Sequence, residues 1–549
     1  MKLKKMGQTV TPFNAIEVLL KNRGVKEEEI KYILNPTKEC ELDYEYENMD
    51  KAIQISKKAF KNNHKVGILW DKDCDGVTSG AVLYMFLKET YPNLEIKNYF
   101  HQRKTHGLTN EIMGQVLKDK PNLMFVVDAG SNDFEAHKSL KKNGIECVVL
   151  DHHDCTEGYS PYATVVNNQL SVSGNKTLTG VGMVYKFIQK LNKTKAKKYL
   201  DLVALGQVGD VCDCTNPETR YLVYQGIELM NKGKYSSNFI KELVKFRLDK
   251  KPVSIMGLGF YIAPYINAVV RIMDSDEGEL EKAIINNSKE DFTEELEMCK
   301  GCKETQNIMM EDGYIELVKQ IEQFNLDRYA VIICNGDTIL PSLKGVVANK
   351  IATDYKRPVL VLSEKDGICK GSGRGSKESS IQNFKNLMNN CPFVLEASGH
   401  KSAFGISVKK EDISKLYNYI SKIETNTNLE TDLYVDDIIP LNHLNDTLIK
   451  TVAQYESIWG NGLTEPMFAI TNIHLNSDEI QIIGKNSDTI KFTANGVDYL
   501  MFKATQELKQ QLSNVKAGLN TINIVGKFAL NEFRGRVTPQ VQITEIEIN

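Results

Sequence analysis

Asp71-Lys72-Asp73-Cys74-Asp75-Gly76 follow directly on the apolar run Val66-Gly67-Ile68-Leu69-Trp70. A run of that kind reads as a buried parallel strand. Three carboxylates at alternate positions, closed by a glycine, then fall where the strand ends and the chain must turn. So much negative charge in one small volume repels itself unless a cation neutralises it. Hard oxygen donors of this type suit magnesium or manganese. The same spacing opens a calcium loop of the EF-hand type, but that loop wants a glutamate at its twelfth position, where this chain has Val82.

Two more segments share the pattern of strand followed by acid. Leu123–Val127 runs into Asp128-Ala129-Gly130-Ser131, and Cys147–Leu150 runs into Asp151-His152-His153-Asp154. In an open parallel α/β sheet, ligands bind outside the carboxyl ends of the strands. Three such strands aim carboxylates and imidazoles at one crevice. Alone, each has an ordinary explanation, since Asp after a strand commonly caps a helix and paired histidines can sit in a solvated turn. A fourth segment, Leu202–Asp210, reads as a buried helix that delivers one more carboxylate. Asp and His ligation with a bridging carboxylate describes a two-metal phosphoester site, with the ions roughly 3.5–4 Å apart.

The elements that must position these groups can be read coarsely. Residues 1–60 have helical spacing and form a lead-in. Residues 61–235 alternate strands with helices, as a parallel sheet requires. Residues 236–325 turn mostly helical and read as a connector between two lobes, with Glu294-Glu295-Leu296-Glu297 on a solvated face. A second α/β lobe occupies 326–425. In 426–549 five short β-rich runs suit a small barrel of OB type: Ile480–Ile483, Thr489–Phe492, Tyr499–Phe502, Ile522–Val525 and Val541–Ile543. The fold class is therefore α/β, with two α/β lobes joined by a helical connector and a C-terminal β-barrel.

The order D-x-D-x-D-G, V-V-D-x-G, D-H-H, then an apolar helix ending in Asp, resembles the DHH phosphoesterases. Within them it is similar to the RecJ-type exonucleases, which degrade single-stranded DNA 5′→3′. Further motifs carry the likeness over residues 60–410 and beyond. Tyr99–Arg103 with Gly107-Leu108 resembles P-x-R…G-Y-G-L. Asn167, Leu178–Gly182 and Lys186 match N-P…L-x-G-x-G…K. Pro264–Ala268 with Arg271 resembles P-R-I-N-A-x-G-R, Gly371–Arg374 resembles G-S-x-R, and Ser398–Gly405 resembles G-G-H-x-x-A-x-G. Trp459–Gly462 with Glu465-Pro466 resembles P-F-G-x-G-N-P-x-P, and Asn531–Gly535 resembles N-x-x-R-G. The chain departs from the pattern at Val270, at Ser398 and around Leu343. These positions surround the nucleic-acid path and not the metals.

On this reading Asp73, Asp75, Asp128, His152 and Asp210 hold two Mn²⁺ or Mg²⁺ ions, with Asp128 as the bridge. Asp71 completes the set or supports it. His153 lies beside the metals, where it can bond a phosphate oxygen or the leaving group, and Asp151 orients a histidine. The resemblance implies that Arg103, Ser372 and Arg374 form a pocket for the 5′ phosphate. Asn267, Arg271, Gly399 and His400 would line the path of the following phosphates. Phe533 and Arg534, with Phe528 and Arg536, are candidates for holding single strands by stacking and charge.

Composition adds limits. A chain of 549 residues is too long for one core. A net charge of −3 neither supports nor excludes DNA, because local clustering decides. Eleven scattered cysteines suggest reduced thiols; Cys212-Asp213-Cys214 and Cys299-Lys300-Gly301-Cys302 lack the usual flanking spacing of a zinc site. No apolar run is expected to span a bilayer, and the start lacks an apolar signal region, which points to a cytoplasmic monomer. Single-stranded DNA is the expected partner, with a single-strand-binding protein or helicase beside it. Two alternatives share the chemistry. A small-substrate DHH phosphodiesterase would hold the same metals but usually lacks the terminal barrel. An inactive single-strand-binding scaffold would be expected to have lost ligands, and none is lost here.

Overall fold

The register of the strands decides where the acids lie. The structure, a computed structural model, describes residues 2–102, 105–155, 158–273, 278–423, 432–484, 487–533 and 535–549. Arg103 and Arg534 fall outside this set, and of Phe533 only the backbone is described. After a short strand β1 (Leu3–Lys5) come β2 (Val66–Trp70), β3 (Ile96–Phe100), β4 (Leu123–Val127), β5 (Glu146–Asp151) and β6 (Thr164–Asn167). The last five form a wholly parallel sheet in the order β3-β2-β4-β5-β6. Strands β2 and β4 are buried at every residue, which is why they read as unbroken apolar runs. Trp70 pairs with Val127, and Val127 with Leu150. The next residue of each strand is an acid, so Asp71, Asp128 and Asp151 emerge side by side at the carboxyl edge.

The 32-residue helix Thr293–Phe324 leads to the second sheet. It contains β7 (Ile332–Asn335), β8 (Val359–Lys365), β9 (Ile368–Arg374), β10 (Val394–His400) and β11 (Ala403–Lys409), ordered β10-β11-β9-β8-β7. Only β7 and β8 run parallel; the others pair antiparallel. The run Gly371-x-Gly373-x-Gly375, whose composition suggests a phosphate-binding loop, belongs instead to strand β9 and its end. A Cβ on Gly371 would lie 1.8 Å from the Val361 carbonyl oxygen, and one on Gly373 would lie 2.5 Å from the Phe404 ring. Those glycines admit a neighbouring strand and a ring, and no phosphate is needed to explain them.

Strand β12 (Leu433–Val435) pairs with β1 in parallel. The third sheet then comprises β13 (Asp437–Pro440), β14 (Phe468–Ile473), β15 (Gln481–Ile483), β16 (Thr489–Ala494), β17 (Val497–Met501), β18 (Ile522–Phe533) and β19 (Arg536–Ile548). Its order is β13-β14-β18-β19-β17-β16-β15. All five expected runs are strands, and β13 and β14 are additional. Among the described residues the edge strands β13 and β15 do not pair with each other, so the expected OB-type sheet is not closed.

The N-terminal lead-in does not stay together. Helices Ala15–Lys21 and Glu27–Leu34 pack on the third sheet, where Ile16, Leu19, Leu20 and Ile33 share a core with Phe468, Ile470 and Ile524. Arg23 clamps this arrangement through a bidentate pair to buried Asp436, at 2.8 and 3.0 Å. Helix Met49–Lys61 packs instead on the first sheet. An amphipathic helix shows in its sequence that one face is buried, but not against what.

The sequence also under-reads one apolar stretch. Ile255–Ile272 forms continuous helix, with a π-helical turn at Leu258–Ile262, and is long and apolar enough to cross a membrane. Half of it is buried inside the fold. Leu258, Ile262, Ile266 and Val269 face the core, while Phe260 and Tyr261 are exposed.

One buried acid beneath the first sheet gives a pH test. Asp201 is fully enclosed and accepts hydrogen bonds from the Ser236 backbone N–H and hydroxyl, both at 2.7 Å. Burial pushes its pKa up to about 6. A raised carboxyl pKa stabilises the fold below the unfolded-state value near 3.8, and this contribution is lost as pH rises through about 6. Between pH 4 and 7, Asp201→Asn should therefore gain stability relative to wild type by up to about 3 kcal/mol. Denaturant midpoints of both proteins across that range check this, and parallel curves would exclude it.

Candidate metal centre

The turn after β2 is built by its own carboxylates. Asp73 caps helix Cys74–Thr90, accepting from Asp75 N and Gly76 N at 3.1 Å. A Cβ on Gly76 would lie 2.5 Å from the Asp71 carbonyl oxygen, so glycine is required there. Asp75 reaches the N-terminus of a distant helix, Gly180–Leu191. It accepts from the Thr179 hydroxyl (2.9 Å), Gly180 N (2.6 Å) and Val181 N (3.1 Å). The Leu178–Gly182 motif thus holds a carboxylate on a helix N-terminus. Burial first, and Asp73 second, push the Asp75 pKa up to about 6.

Asp128 follows β4 with φ of 59°, in the left-handed region. Gly180 lets it stand there, since a Cβ at 180 would lie 2.3 Å from Asp128 Oδ1. Burial, then the neighbouring carboxylates, raise the Asp128 pKa well above the usual range. Asp151 does the opposite work. Its carboxylate accepts from Ser131 N (3.1 Å), His152 N (2.7 Å), His153 N (3.2 Å) and His153 Nδ1 (2.8 Å). Burial opposes its charge, but His153 holds the pKa well below the usual value. Asn167 ties the turn down, donating to Ser131 Oγ and the His153 carbonyl.

His152 points inward. Its Nε2 lies 3.2 Å from Asp128 Oδ1, 3.6 Å from Asp210 Oδ2 and 3.8 Å from Asp75 Oδ2. Burial, then His153, lower its pKa to about 3, so the ring is neutral and Nε2 can offer a lone pair. Three buried atoms here have no hydrogen-bond partner: Asp128 Oδ1, His152 Nε2 and Asp71 Oδ1. Orphaned buried polar atoms of this kind are costly. The donor atoms of Asp71, Asp73 and Asp128 lie within 4.8 Å of one another, as do those of Asp75, His152 and Asp210, and those of Asp128, His152 and His153. Oxygen and imidazole donors so crowded fit divalent cations of the magnesium or manganese type. All the metal-site residues expected from the sequence are brought together.

The nucleic-acid candidates divide. His400 faces the centre across a cleft, its ring 6.4 Å from that of His153. The cleft encloses about 680 Å³ between His106, His153 and Asp154 on one lobe and Lys385 and Ser398–His400 on the other. Lys385 bridges the lobes to Asp154 at 3.7 Å. Arg271 lies in the last turn of helix Ala263–Ile272, and Arg374 ends β9. The two guanidiniums interact, and the Asp73 charge acts on Arg271. Ser372 and Arg374 both face Gly345: a Cβ there would lie 3.4 Å from Ser372 Oγ and 2.3 Å from Arg374 Nη2.

Two of the expected residues also have structural work, and one expectation needs correcting. Asn267 accepts from Cys74 N at 3.0 Å and so positions the acidic turn. Gly399, with φ of 132°, is needed where its Cβ would meet the Ala403 oxygen at 2.8 Å. Phe528 is no stacking platform, because its ring lies buried 4.0 Å from Phe468 in the core. Sequence reasoning does not reach His106, whose Nδ1 lies 3.0 Å from Asp71 Oδ2. Its place between Arg103 and Gly107 in a recognised motif was the available signal. Lys385 carries none.

Comparisons with known proteins agree with this geometry. The family model "DHH family, N-terminal domain" matches residues 65–207, and "RecJ OB domain" matches 435–545. A Bacillus subtilis protein described, provisionally, as the SPbeta prophage-derived single-strand DNA-specific exonuclease YorK is 32% identical, over 100% of this chain and 98% of its own. The single-stranded-DNA-specific exonuclease RecJ of the same organism is 25% identical, over 100% of this chain and 70% of its own. The crystal structure of RecJ from Thermus thermophilus with Mn²⁺ superimposes with a TM-score of 0.76 at 20% identity, over 100% of this chain and 80% of that one. A relative 32% identical over nearly its whole length, with both family models in the expected order, shows that the chain belongs to the RecJ-type branch of the DHH family.

Proposed function

We propose that the protein is a divalent-metal-dependent exonuclease that hydrolyses single-stranded DNA from its 5′ end. The observation that carries this is the pair of donor triads, Asp71/Asp73/Asp128 and Asp75/His152/Asp210, with Asp128 Oδ1 and His152 Nε2 buried and unbonded between them. Asp73, Asp75, Asp128, His152 and Asp210 would hold two ions, Asp128 reaching both, with Asp71 beside them. Bound there, Mn²⁺ or Mg²⁺ supplies a water of lowered pKa and charge stabilisation of the phosphorane-like transition state.

The chain's own groups do the rest. Asp151 fixes His153 through Nδ1, which leaves Nε2 as the atom that meets substrate across the cleft from His400. Burial lowers the His153 pKa and Asp151 more than restores it, so the ring can donate a proton towards a phosphate oxygen or a departing 3′ oxygen. Arg271 and Arg374 carry positive charge from the acids towards β9 and suit the backbone and the 5′ phosphate. The same role for Arg103 is a proposal from the sequence motif alone. Phe260 and Tyr261 stand exposed on the helix that packs against Val208 and Gly209, next to Asp210. They offer faces on which bases stack. The exposed Arg536, at the end of the β18–β19 hairpin, offers a further positive charge for the strand.

Named relatives act on single-stranded DNA, and the third sheet favours a polymer over a dinucleotide. Work in repair or recombination, beside a single-strand-binding protein or helicase, follows from that substrate. Degradation assays with Mn²⁺ on single-stranded DNA, duplex DNA and a short oligoribonucleotide test the reading. Rapid loss of the single strand with the duplex intact supports it. Turnover of only the short oligoribonucleotide would replace it with a small-substrate phosphodiesterase.

A further inference from the structure

A second cavity, of about 810 Å³, opens beside Ser372 on the face of the second sheet next to helix Pro341–Asp354. Its deepest charged group is Lys344, only 5% exposed. The Lys344 ammonium has one contact among the described residues, the hydroxyl of Ser363, which itself donates to the Gly336 carbonyl. A lysine so buried ordinarily has a counter-charge, because an unpaired ammonium loses its hydration without return. Three acids line the cavity; Asp366 is exposed to solvent, and the other two are turned to other work. Asp337 accepts from Glu364 N (3.1 Å) and Asn335 Nδ2 (3.0 Å). Glu364 accepts from Gly367 N (2.9 Å) and Lys410 Nζ (3.1 Å). Asp337 is close enough to act on Lys344 but lies outside contact distance, and burial, the larger influence, lowers the lysine's pKa.

The cavity is continuous with the row of groups assigned above to the DNA end. Lys370, Ser372 and Arg374 alternate along β9 and so share one face, at intervals of roughly 7 Å. Arg374 lies at the end near Arg271 and Asp73; Ser372 borders the cavity; Lys370 and Lys365 line its wall. A strand whose 5′ phosphate reaches Arg374 and Ser372 would point anything further 5′ into this cavity, towards Lys344.

We propose that this cavity receives phosphate beyond the terminal 5′ phosphate, with Lys344 and Lys370 as its cationic ligands, so that the protein accepts single strands bearing a 5′ triphosphate. The proposal rests on the 5′-end reading of Ser372 and Arg374. The same chemistry could come from a preceding nucleotide, which would place two residues 5′ of the cut.

The test compares one single-stranded DNA sequence with a 5′ monophosphate or a 5′ triphosphate, digested by the full-length protein with Mn²⁺, with products resolved by length. Wild type should degrade the triphosphate strand with kcat/KM no lower than the monophosphate strand, releasing a nucleoside triphosphate first. Lys344→Met, which keeps the side chain's bulk, should lower the triphosphate-to-monophosphate ratio by roughly tenfold, the effect of one charge-assisted contact. Lys370→Gln, on an exposed strand position, should lower it in the same direction without touching the core. Wild type that cuts the monophosphate strand but rejects the triphosphate overturns the proposal, as does an unchanged ratio in both variants. Dinucleotides released from the monophosphate strand would assign the cavity to a preceding nucleotide and overturn the triphosphate reading. Failure of wild type on the monophosphate strand would instead sink the exonuclease reading itself.

Discussion

Asp128→Asn is expected to abolish hydrolysis with either Mn²⁺ or Mg²⁺ while leaving the protein folded. The substitution suits the site, because residue 128 has φ of 59° and asparagine tolerates the left-handed region far better than alanine. It keeps the shape that fits against Gly180 but removes the charged donor facing His152 at 3.2 Å. Losing charge stabilisation worth several kcal/mol corresponds to roughly a thousandfold or more in rate. A second readout separates a metal role from a structural one. In chelator, the variant should melt above wild type, because one of the mutually repelling buried carboxylates is gone. With Mn²⁺ added, wild type should gain more stability than the variant, as binding to the folded state alone requires. Near-normal turnover, or equal stabilisation of both proteins by Mn²⁺, would remove Asp128 from the metal centre.

The second large effect concerns the end of the strand. If Arg374 holds the 5′ phosphate, Arg374→Ala removes a charge-assisted contact of about 1.5–3 kcal/mol. That is roughly tenfold to a hundredfold in kcat/KM. The loss should fall on 5′-phosphorylated strands and spare strands with a 5′ hydroxyl, which never make the contact. Gly345→Ala offers an independent route to the same result. The added Cβ would lie 2.3 Å from Arg374 Nη2 and must displace the guanidinium. Alanine in a helix interior otherwise stabilises by up to about 1 kcal/mol. The variant should therefore show the substrate pattern of Arg374→Ala without loss of stability. Equal losses on both substrates would mean that Arg374 tracks the backbone generally and that the end pocket lies elsewhere.

How much of this is legible in the sequence depends on whether a residue's role is local. Asp71, Asp128 and Asp151 are legible because each ends an apolar strand, and parallel register alone brings the ends together. Asp210 is legible as the acid that follows a largely apolar helix. The role of Asp75 on the N-terminus of helix Gly180–Leu191 is not, since nothing in D-x-D-x-D-G names the Thr179, Gly180 and Val181 donors a hundred residues away. The bond from Cys74 N to Asn267 is hidden for the same reason, since the two residues lie nearly two hundred positions apart. The glycines of β9 look like a phosphate loop because composition does not distinguish room for a ligand from room for a neighbouring strand. The third sheet was legible where its strands alternate, as in β16 and β17. Strands β13 and β14 were not, and neither was the packing of Ala15–Lys21 onto that sheet, which depends on contacts more than four hundred residues apart.

The central claim is that the chain removes nucleotides from the 5′ end of single-stranded DNA at the acidic centre between the lobes. The direct measurement is a time course with Mn²⁺ on one single strand carrying its label at either the 5′ or the 3′ terminus. The account predicts that the 5′ label appears at once as mononucleotide, while the 3′-labelled strand shortens step by step. Early release of the 3′ label, or internal fragments from both strands, would contradict it.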